Sequence, residues 1–230
     1  STLIITATEK AIDTFGGNSI LVDNHLVHAG NDAASATEAD ASADATYANK
    51  YVKIEPVKYD LWVGGVQVTS ANKDDITTAI TEAGGTADGT ATYDPESETL
   101  TLNGFSYTGE GYLRNSSYGH YAAIYSKTDL TIKLVGSNTL TQTAAESDAV
   151  WVEGALTVGG SGSLTCTSTR YGFYAEGKNL SINSGTIVST SGLTGIKGYY
   201  ADVIINGGDI TINSCTIDDG VEAAGQDRHD

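Results

Sequence analysis

The chain has 230 residues and a formal net charge of -17, because 12 Lys and Arg stand against 29 Asp and Glu. So few cations argue against a nucleic-acid partner, which is bound through Lys and Arg, and against docking on an anionic membrane surface. No apolar run is long enough to span a bilayer, so no membrane insertion is expected. The 27 Gly, 13 Tyr and 2 Pro, with no Met, indicate an extracellular protein of β-structure with tight turns.

The first 56 residues divide into a strand-rich segment and an acidic one. Residues 1–31 repeat a strand–turn rhythm and predict a β-helix rung. The repeat spacing is compatible across the two ends of the chain, so this rung would end a preceding copy in a tandem array with head-to-tail contacts. Residues 32–56 indicate an acidic linker or surface loop, followed by a strand that ends at Pro56.

Residues 57–121 are predicted to be a capping region. Residues 60–69 read as a hairpin around Gly64-Gly65, and residues 72–80 as a short capped helix. Residues 90–102 read as a second hairpin around Asp94-Pro95. A cap is expected because the end of a solenoid exposes unpaired strand edges and apolar core.

Residues 122–230 carry a ladder of short alternating runs. Its repeats start at Ala123, Ala149, Gly172, Gly195 and Gly220, which are 26, 23, 23 and 25 residues apart. In the first four repeats a second and a third alternating run follow, so each period holds three short strands. The third runs align Leu140, Leu164, Ile187 and Ile210, which are therefore expected to be neighbours. This pattern predicts a mostly-β chain folded as a parallel β-helix, a solenoid in which residues one period apart form columns.

One column of the ladder is aromatic. It contains Tyr125, Trp151 and Tyr174 and continues with Lys197 and Glu222. The residue before each of these is expected to point inward, so the column points outward. Its three rings would form a platform for sugar rings, with Lys197 as a further ligand-binding residue. The other interpretation is that the rings only stabilise one another across strands, or lie beneath a loop.

An acidic turn near the end of the ladder is the best metal candidate. Asp218, Asp219 and Glu222 place three carboxylates around one Gly, and Ca²⁺ prefers several carboxylate and carbonyl oxygens. Asp148 and Glu153 form a weaker second candidate. A solvated acidic turn without a metal is the alternative.

The two cysteines are not expected to form a disulfide. Cys166 and Cys215 lie two rungs apart, which is about 10 Å at the usual rung spacing. That separation exceeds the limit of about 7 Å between the Cα atoms of a disulfide. Cys166 has the parity of Leu164 and is expected to be buried.

The chain resembles a known family in two places, one in the ladder and one in the cap. Residues 207–213 and 217–223 resemble the strand and Asp-Asp-Gly turn of bacterial carbohydrate-binding β-helix domains. Residues 59–68 and 93–104 resemble the leading segment of repeat-rich surface proteins of gut Firmicutes. The resemblance implies a right-handed parallel β-helix, related in fold to pectate lyases, that binds calcium and acidic polysaccharide without cleaving it. It also implies calcium at Asp218 and Asp219, and a location at the bacterial cell surface.

The leading expectation is therefore a non-catalytic module that binds a polysaccharide or host glycan with the help of Ca²⁺. The alternative is a structural or adhesive stalk built of tandem repeats. A polysaccharide lyase is the third, with Arg170 or Lys197 acting beside a bound cation. An aromatic column open to solvent favours binding, whereas one covered by residues 106–121 favours the stalk.

Overall fold

The structure is a computed structural model, and it describes residues 2–8, 11–12, 22, 25–40, 46, 49–213 and 220–224. The chain divides into two compact units. The first consists of Ser1–Tyr59 with Thr69–Ala71, and the second of Asp60–Val68 with Asn72–Asp230. Asp218, Asp219 and Cys215 lie outside the described residues.

The first unit contains an antiparallel sheet in the order β1-β4-β2-β3. Its strands are β1 (Leu3–Thr6), β2 (His25–Gly30), β3 (Thr37–Ala39) and β4 (Tyr51–Pro56). The predicted strand ending at Pro56 is confirmed, but the described strands within residues 1–31 pair antiparallel instead of forming a solenoid rung. The physical reason is that β4 offers backbone partners to both β1 and β2, whereas a lone rung has no parallel neighbour to bond.

The cap begins with the predicted hairpin and helix. Strands β5 (Lys58–Val63) and β6 (Val66–Thr69) are neighbours in one sheet. Gly64 and Gly65 between them have φ of 58° and 86°, the left-handed pair that a tight type I′ hairpin requires. Helix α1 (Ile76–Glu82) begins after Asp75, whose carboxylate accepts a hydrogen bond from the Thr78 N–H at 3.0 Å.

The second hairpin is also confirmed, and it starts the solenoid. Strand β7 (Thr86–Asp94) pairs antiparallel with β8 (Thr99–Gly109). The two ends of β8 pair in parallel with two different later strands, so β8 is the first rung of one sheet. Strand β9 (Tyr112–Asn115) then runs antiparallel to the strand that follows it.

In the described part of the chain, about four three-stranded turns of a parallel β-solenoid follow, as predicted. The first strands of successive turns are β10 (His120–Ser126), β13 (Ser147–Val152), β16 (Tyr171–Glu176) and β19 (Thr194–Tyr199), with β22 (Val221–Ala224) after them. The second strands are β11 (Leu130–Val135), β14 (Leu156–Gly160), β17 (Leu180–Ile182) and β20 (Val203–Ile205). The third strands are β12 (Ser137–Gln142), β15 (Ser163–Ser168), β18 (Thr186–Ser191) and β21 (Asp209–Asn213).

The predicted column register is correct for the first strands, where Ile124, Val150, Phe173, Ile196 and Val221 are successive partners. The first four of these side chains are fully buried. Inward apolar columns of this kind form the core of the solenoid, because each strand turns one face to the interior.

The register of the third strands differs from the prediction at one step. Leu140 was expected beside Leu164, but it pairs with Cys166, and Asn138 takes the position beside Leu164. Asn138 is 1% exposed; its side-chain oxygen accepts from the Phe105 N–H at 2.8 Å, and its amide donates to the Ser163 carbonyl at 2.9 Å. A two-residue shift keeps the same face inward, so the buried amide replaces an apolar side chain while bonding backbone on two neighbouring turns. Cys166 is a free, fully buried thiol, as predicted.

Candidate functional site

The aromatic column assembles with the predicted register. Tyr125 pairs with Trp151, and Trp151 with Tyr174. The rings of Trp151 and Tyr174 stack with centroids 3.7 Å apart and planes 15° from parallel. Trp62 joins the same cluster, because β5 places it opposite Tyr125, with ring centroids 5.4 Å apart and planes tilted by 34°. The column therefore forms a continuous aromatic cluster on the outside of the solenoid wall.

The faces of this cluster are covered. Tyr125, Trp151 and Tyr174 are only 3%, 5% and 5% exposed. Strand β9 supplies the cover: the Tyr112 ring stacks on Tyr125 at 5.2 Å, and the Arg114 guanidinium carbon lies 3.4 Å from the centre of the Trp151 ring. The expected open platform for sugar rings is thus absent from this column, because the capping region folds over it.

Backbone geometry fixes β9 in this place. Leu113 and Tyr112 pair antiparallel with Tyr121 and Ala122 of β10. Gly111 precedes the strand with φ of 79°, and a Cβ there would lie 2.1 Å from the Ala122 carbonyl oxygen. Only glycine permits that approach, so the sequence at this turn lets the chain cross the column closely.

Two buried polar groups in the covered cluster lack hydrogen-bond partners among the described residues. They are the indole Nε1 of Trp151 and the Nε of Arg114. The Arg114 side chain does contact His120, with Nη2 and Nδ1 3.2 Å apart. Burial lowers the pKa of Arg114. A guanidinium stacked on indole gains cation–π attraction, which partly offsets the loss of water around it.

The hydroxyl edge of the cluster meets acidic residues. The Tyr125 hydroxyl donates to Glu153 Oε1 at 2.6 Å. Burial is the main reason why the pKa of Tyr125 is raised, and the bond to Glu153 raises it further. Burial also raises the pKa of Glu176, with the Glu153 charge as a second cause. Glu153 thus anchors the hydroxyl edge of the cluster through its bond to Tyr125.

The polar end of the column forms an ion pair. Lys197 Nζ lies 2.7 Å from Glu222 Oε2, and the Thr194 hydroxyl is 3.5 Å from the same oxygen. Lys197, the predicted ligand-binding residue, is therefore ion-paired with Glu222, the predicted metal ligand. Within the described part of the chain, no group of three or more His, Cys, Asp or Glu side chains could hold a metal ion.

Asp148, one half of the weaker metal candidate, is fully buried. Its carboxylate accepts from the Tyr171 N–H at 3.1 Å and lies 3.4 Å from Arg170 Nη1. Burial raises the pKa of Asp148 to about 6, although Arg170 and the Tyr171 N–H favour its charged form. Asp148 and Glu153 each have other partners, so the geometry does not favour a shared metal.

Sequence reasoning did not single out Arg114. The signal was the alternation Tyr112-Leu113-Arg114 in the predicted cap, which puts an aromatic ring and a cation on one face of a short strand. What the sequence could not supply was the partner of that strand.

No protein-family model matches the chain, and neither a curated protein nor a solved structure is significantly similar to it. No helix among the described residues is long and apolar enough to cross a membrane.

Proposed function

We propose that this chain is a structural, non-catalytic β-solenoid module of a bacterial cell-surface protein, in which tandem copies supply reach and adhesion. The covered aromatic column carries the proposal. With Trp151 only 5% exposed beneath Arg114, the column acts as packing for the solenoid wall and presents no ring face to a sugar. The surface location rests on composition and on the resemblance to surface-protein repeats.

The last turn that the structure describes supports head-to-tail contacts between modules. Ile205 is 49% exposed, whereas Ile182 in the same column is fully buried. Likewise Val221 is 42% exposed, whereas its partner Ile196 is fully buried. A further rung or the end of a neighbouring solenoid would remove this apolar surface from water, which favours stacking of modules.

Binding of a polysaccharide or host glycan is the second candidate function. Rows of exposed threonine hydroxyls, such as those of Thr139 and Thr165, favour it, because no described residue engages them. The third candidate, a lyase, lacks supporting geometry among the described residues, since Arg170 and Lys197 are both ion-paired.

One variant separates the structural role of the column from a ligand-binding role. Trp151→Ala is expected to lower the melting temperature clearly while leaving binding to a glycan array unchanged, because the ring is packed and not presented. The control is Tyr118→Ala, which removes an aromatic ring that is 71% exposed and therefore not packed in the column. Loss of glycan binding in Trp151→Ala at an unchanged melting temperature would contradict the structural role.

We also propose Ca²⁺ binding at Asp218 and Asp219, supported by the clustered carboxylates and by the family resemblance. Glu222 joins such a site only if its ion pair with Lys197 opens. Calorimetric titration of Ca²⁺ into metal-free protein should give heat that disappears in the Asp218→Ala, Asp219→Ala double variant. No heat, together with no change of melting temperature in calcium, would remove the metal from the proposal.

A further inference from the structure

The third strands of the solenoid carry an outward face built from hydroxyl side chains. One column runs through Ser106, Thr139, Thr165, Val188 and Thr211. A second column, two residues further along each strand, runs through Thr108, Thr141, Thr167, Thr190 and Asn213. All ten side chains are exposed or half-buried. We call these two columns the threonine face.

The threonine face is a regular grid. Neighbouring turns are about 4.8 Å apart, and residues two apart on a strand are about 6.6 Å apart. None of its hydroxyls has a hydrogen-bond partner among the described residues, whereas Ser147 and Thr169, beside it, bond each other at 3.2 Å. Val188 has the shape of threonine and preserves the row of methyl groups. The face thus offers methyl groups together with hydroxyls that no described residue engages, at regular spacing on the wall of the solenoid.

The second distinguishing feature of the threonine face is that its columns contain no charged side chain. The protein carries a formal net charge of -17, yet neither column contains a charged side chain. Charged residues border the face. Asp88 is paired with Ser106, Asp209 lies two residues before Thr211 on one strand, and Glu110 follows Thr108 by two residues. A neutral strip on so acidic a protein is poorly suited to a basic partner, which would be drawn to the carboxylates elsewhere.

We infer that the threonine face binds the flat surface of an insoluble, neutral polysaccharide. This inference deepens the adhesive part of the proposed function and rests on it. A neutral sugar surface can pair every threonine hydroxyl without stripping water from a charge, and its C–H groups can meet the methyl groups. A periodic solid also matches a periodic rigid grid, so little conformational entropy is lost on binding.

Charge selects this occupant over two others. An acidic polysaccharide would be repelled by the protein at distances within the screening length. A separate second copy would bring a formal charge of -17 against another -17 without the covalent link that joins tandem modules end to end, so face-to-face pairing of copies is disfavoured.

The test is co-sedimentation of the full chain with microcrystalline cellulose and with chitin particles. The variant Thr139→Lys with Thr165→Lys places two charges on neighbouring turns of the threonine face. The matched control, Thr131→Lys with Thr157→Lys, makes the same change at paired positions on the second strands of the same two turns. Melting temperatures of both variants verify folding. A third variant, Thr139→Val with Thr165→Val, removes the hydroxyls and keeps the shape.

We expect the wild-type protein to bind at least one of the two solids, with an affinity that changes little as NaCl is raised. The face variant should lose at least tenfold in affinity, the control less than twofold, and the valine variant an intermediate amount. Wild-type protein that stays in the supernatant with both solids would overturn the inference, as would equal losses in the two lysine variants. A salt-sensitive dimer that the face variant abolishes, without binding to either solid, would assign the face to self-association instead. None of these failures affects the structural role of the aromatic column, which the Trp151 variant tests separately.

Discussion

Replacement of Trp151 by alanine should destabilise the protein strongly. Trp151 is 5% exposed, stacks on Tyr174 at 3.7 Å and lies beneath Arg114. Burial of an aromatic side chain removes about 150–250 Å² from water. At about 25 cal/mol per Å² this corresponds to about 4–6 kcal/mol. The buried Nε1–H, which has no partner among the described residues, offsets about 1–3 kcal/mol of that gain. The difference is about 1–5 kcal/mol. Because the substitution also leaves a cavity, we expect Trp151→Ala to lower the free energy of unfolding by about 3–5 kcal/mol, in the upper part of that range.

Trp151→Phe separates the contribution of the packed ring from that of the indole N–H. It keeps a ring against Tyr174 and Arg114 and removes the unpaired N–H. The expected loss is less than about 1.5 kcal/mol, because the cost of the smaller ring is offset by the removal of an unsatisfied donor. Tyr118→Ala, at a 71% exposed ring, should change the free energy of unfolding by no more than about 0.5 kcal/mol.

Urea unfolding followed by far-UV circular dichroism measures all three variants. The slope against urea must be compared as well as the midpoint, because a solenoid can unfold turn by turn. A Trp151→Ala loss no larger than that of Tyr118→Ala, at an unchanged slope, would refute the packed cluster. A Trp151→Phe loss as large as that of Trp151→Ala would show that the indole N–H contributes to stability.

Two further predictions concern buried polar groups. Asn138→Ala leaves the Phe105 N–H and the Ser163 carbonyl without their side-chain partner, so the free energy of unfolding in urea should fall by about 1–3 kcal/mol. The control is Asn206→Ala, at an exposed position. Equal losses in the two variants would contradict the bridging role of Asn138. Asp148 has a pKa raised by burial from 3.8 to about 6, so between these values the folded state keeps a proton that the unfolded state has lost. Relative to Asp148→Asn, the free energy of unfolding of the wild-type protein should therefore fall by about 3 kcal/mol in total as the pH rises through this window. Above the window the difference between the two proteins should stay constant. A stability difference between the two proteins that is flat across the window, measured by urea unfolding at each pH, would show that Asp148 titrates normally.

The sequence alone determined the columns of the solenoid. Once Ile124, Val150 and Phe173 are recognised as equivalent, parallel hydrogen bonding between turns forces them into register, so spacing is enough to predict which residues are neighbours. The hairpin at Gly64 and Gly65 was equally accessible, because the left-handed backbone of a two-residue turn selects glycine locally.

Other features depended on partners distant in sequence. A run such as Leu3-Ile4-Ile5 reads the same in a parallel rung and in an antiparallel sheet, and the choice was made by β4, nearly fifty residues later. The pairing of Leu140 with Cys166 was missed for a similar reason, because Asn138 counts as polar until the backbone groups that it bonds are known.

The candidate site likewise combines features that the sequence determined with one that only the tertiary structure decided. Period-2 alternation placed Tyr125, Trp151 and Tyr174 on the outer side of the wall. The structure confirms that they share one cluster, in which the rings of Trp151 and Tyr174 stack. Whether water reaches them is a different question, because exposure depends on what else packs on that side. Tyr112 and Arg114 cover the rings only because β9 pairs with β10, so the tertiary structure alone decided that this column is buried.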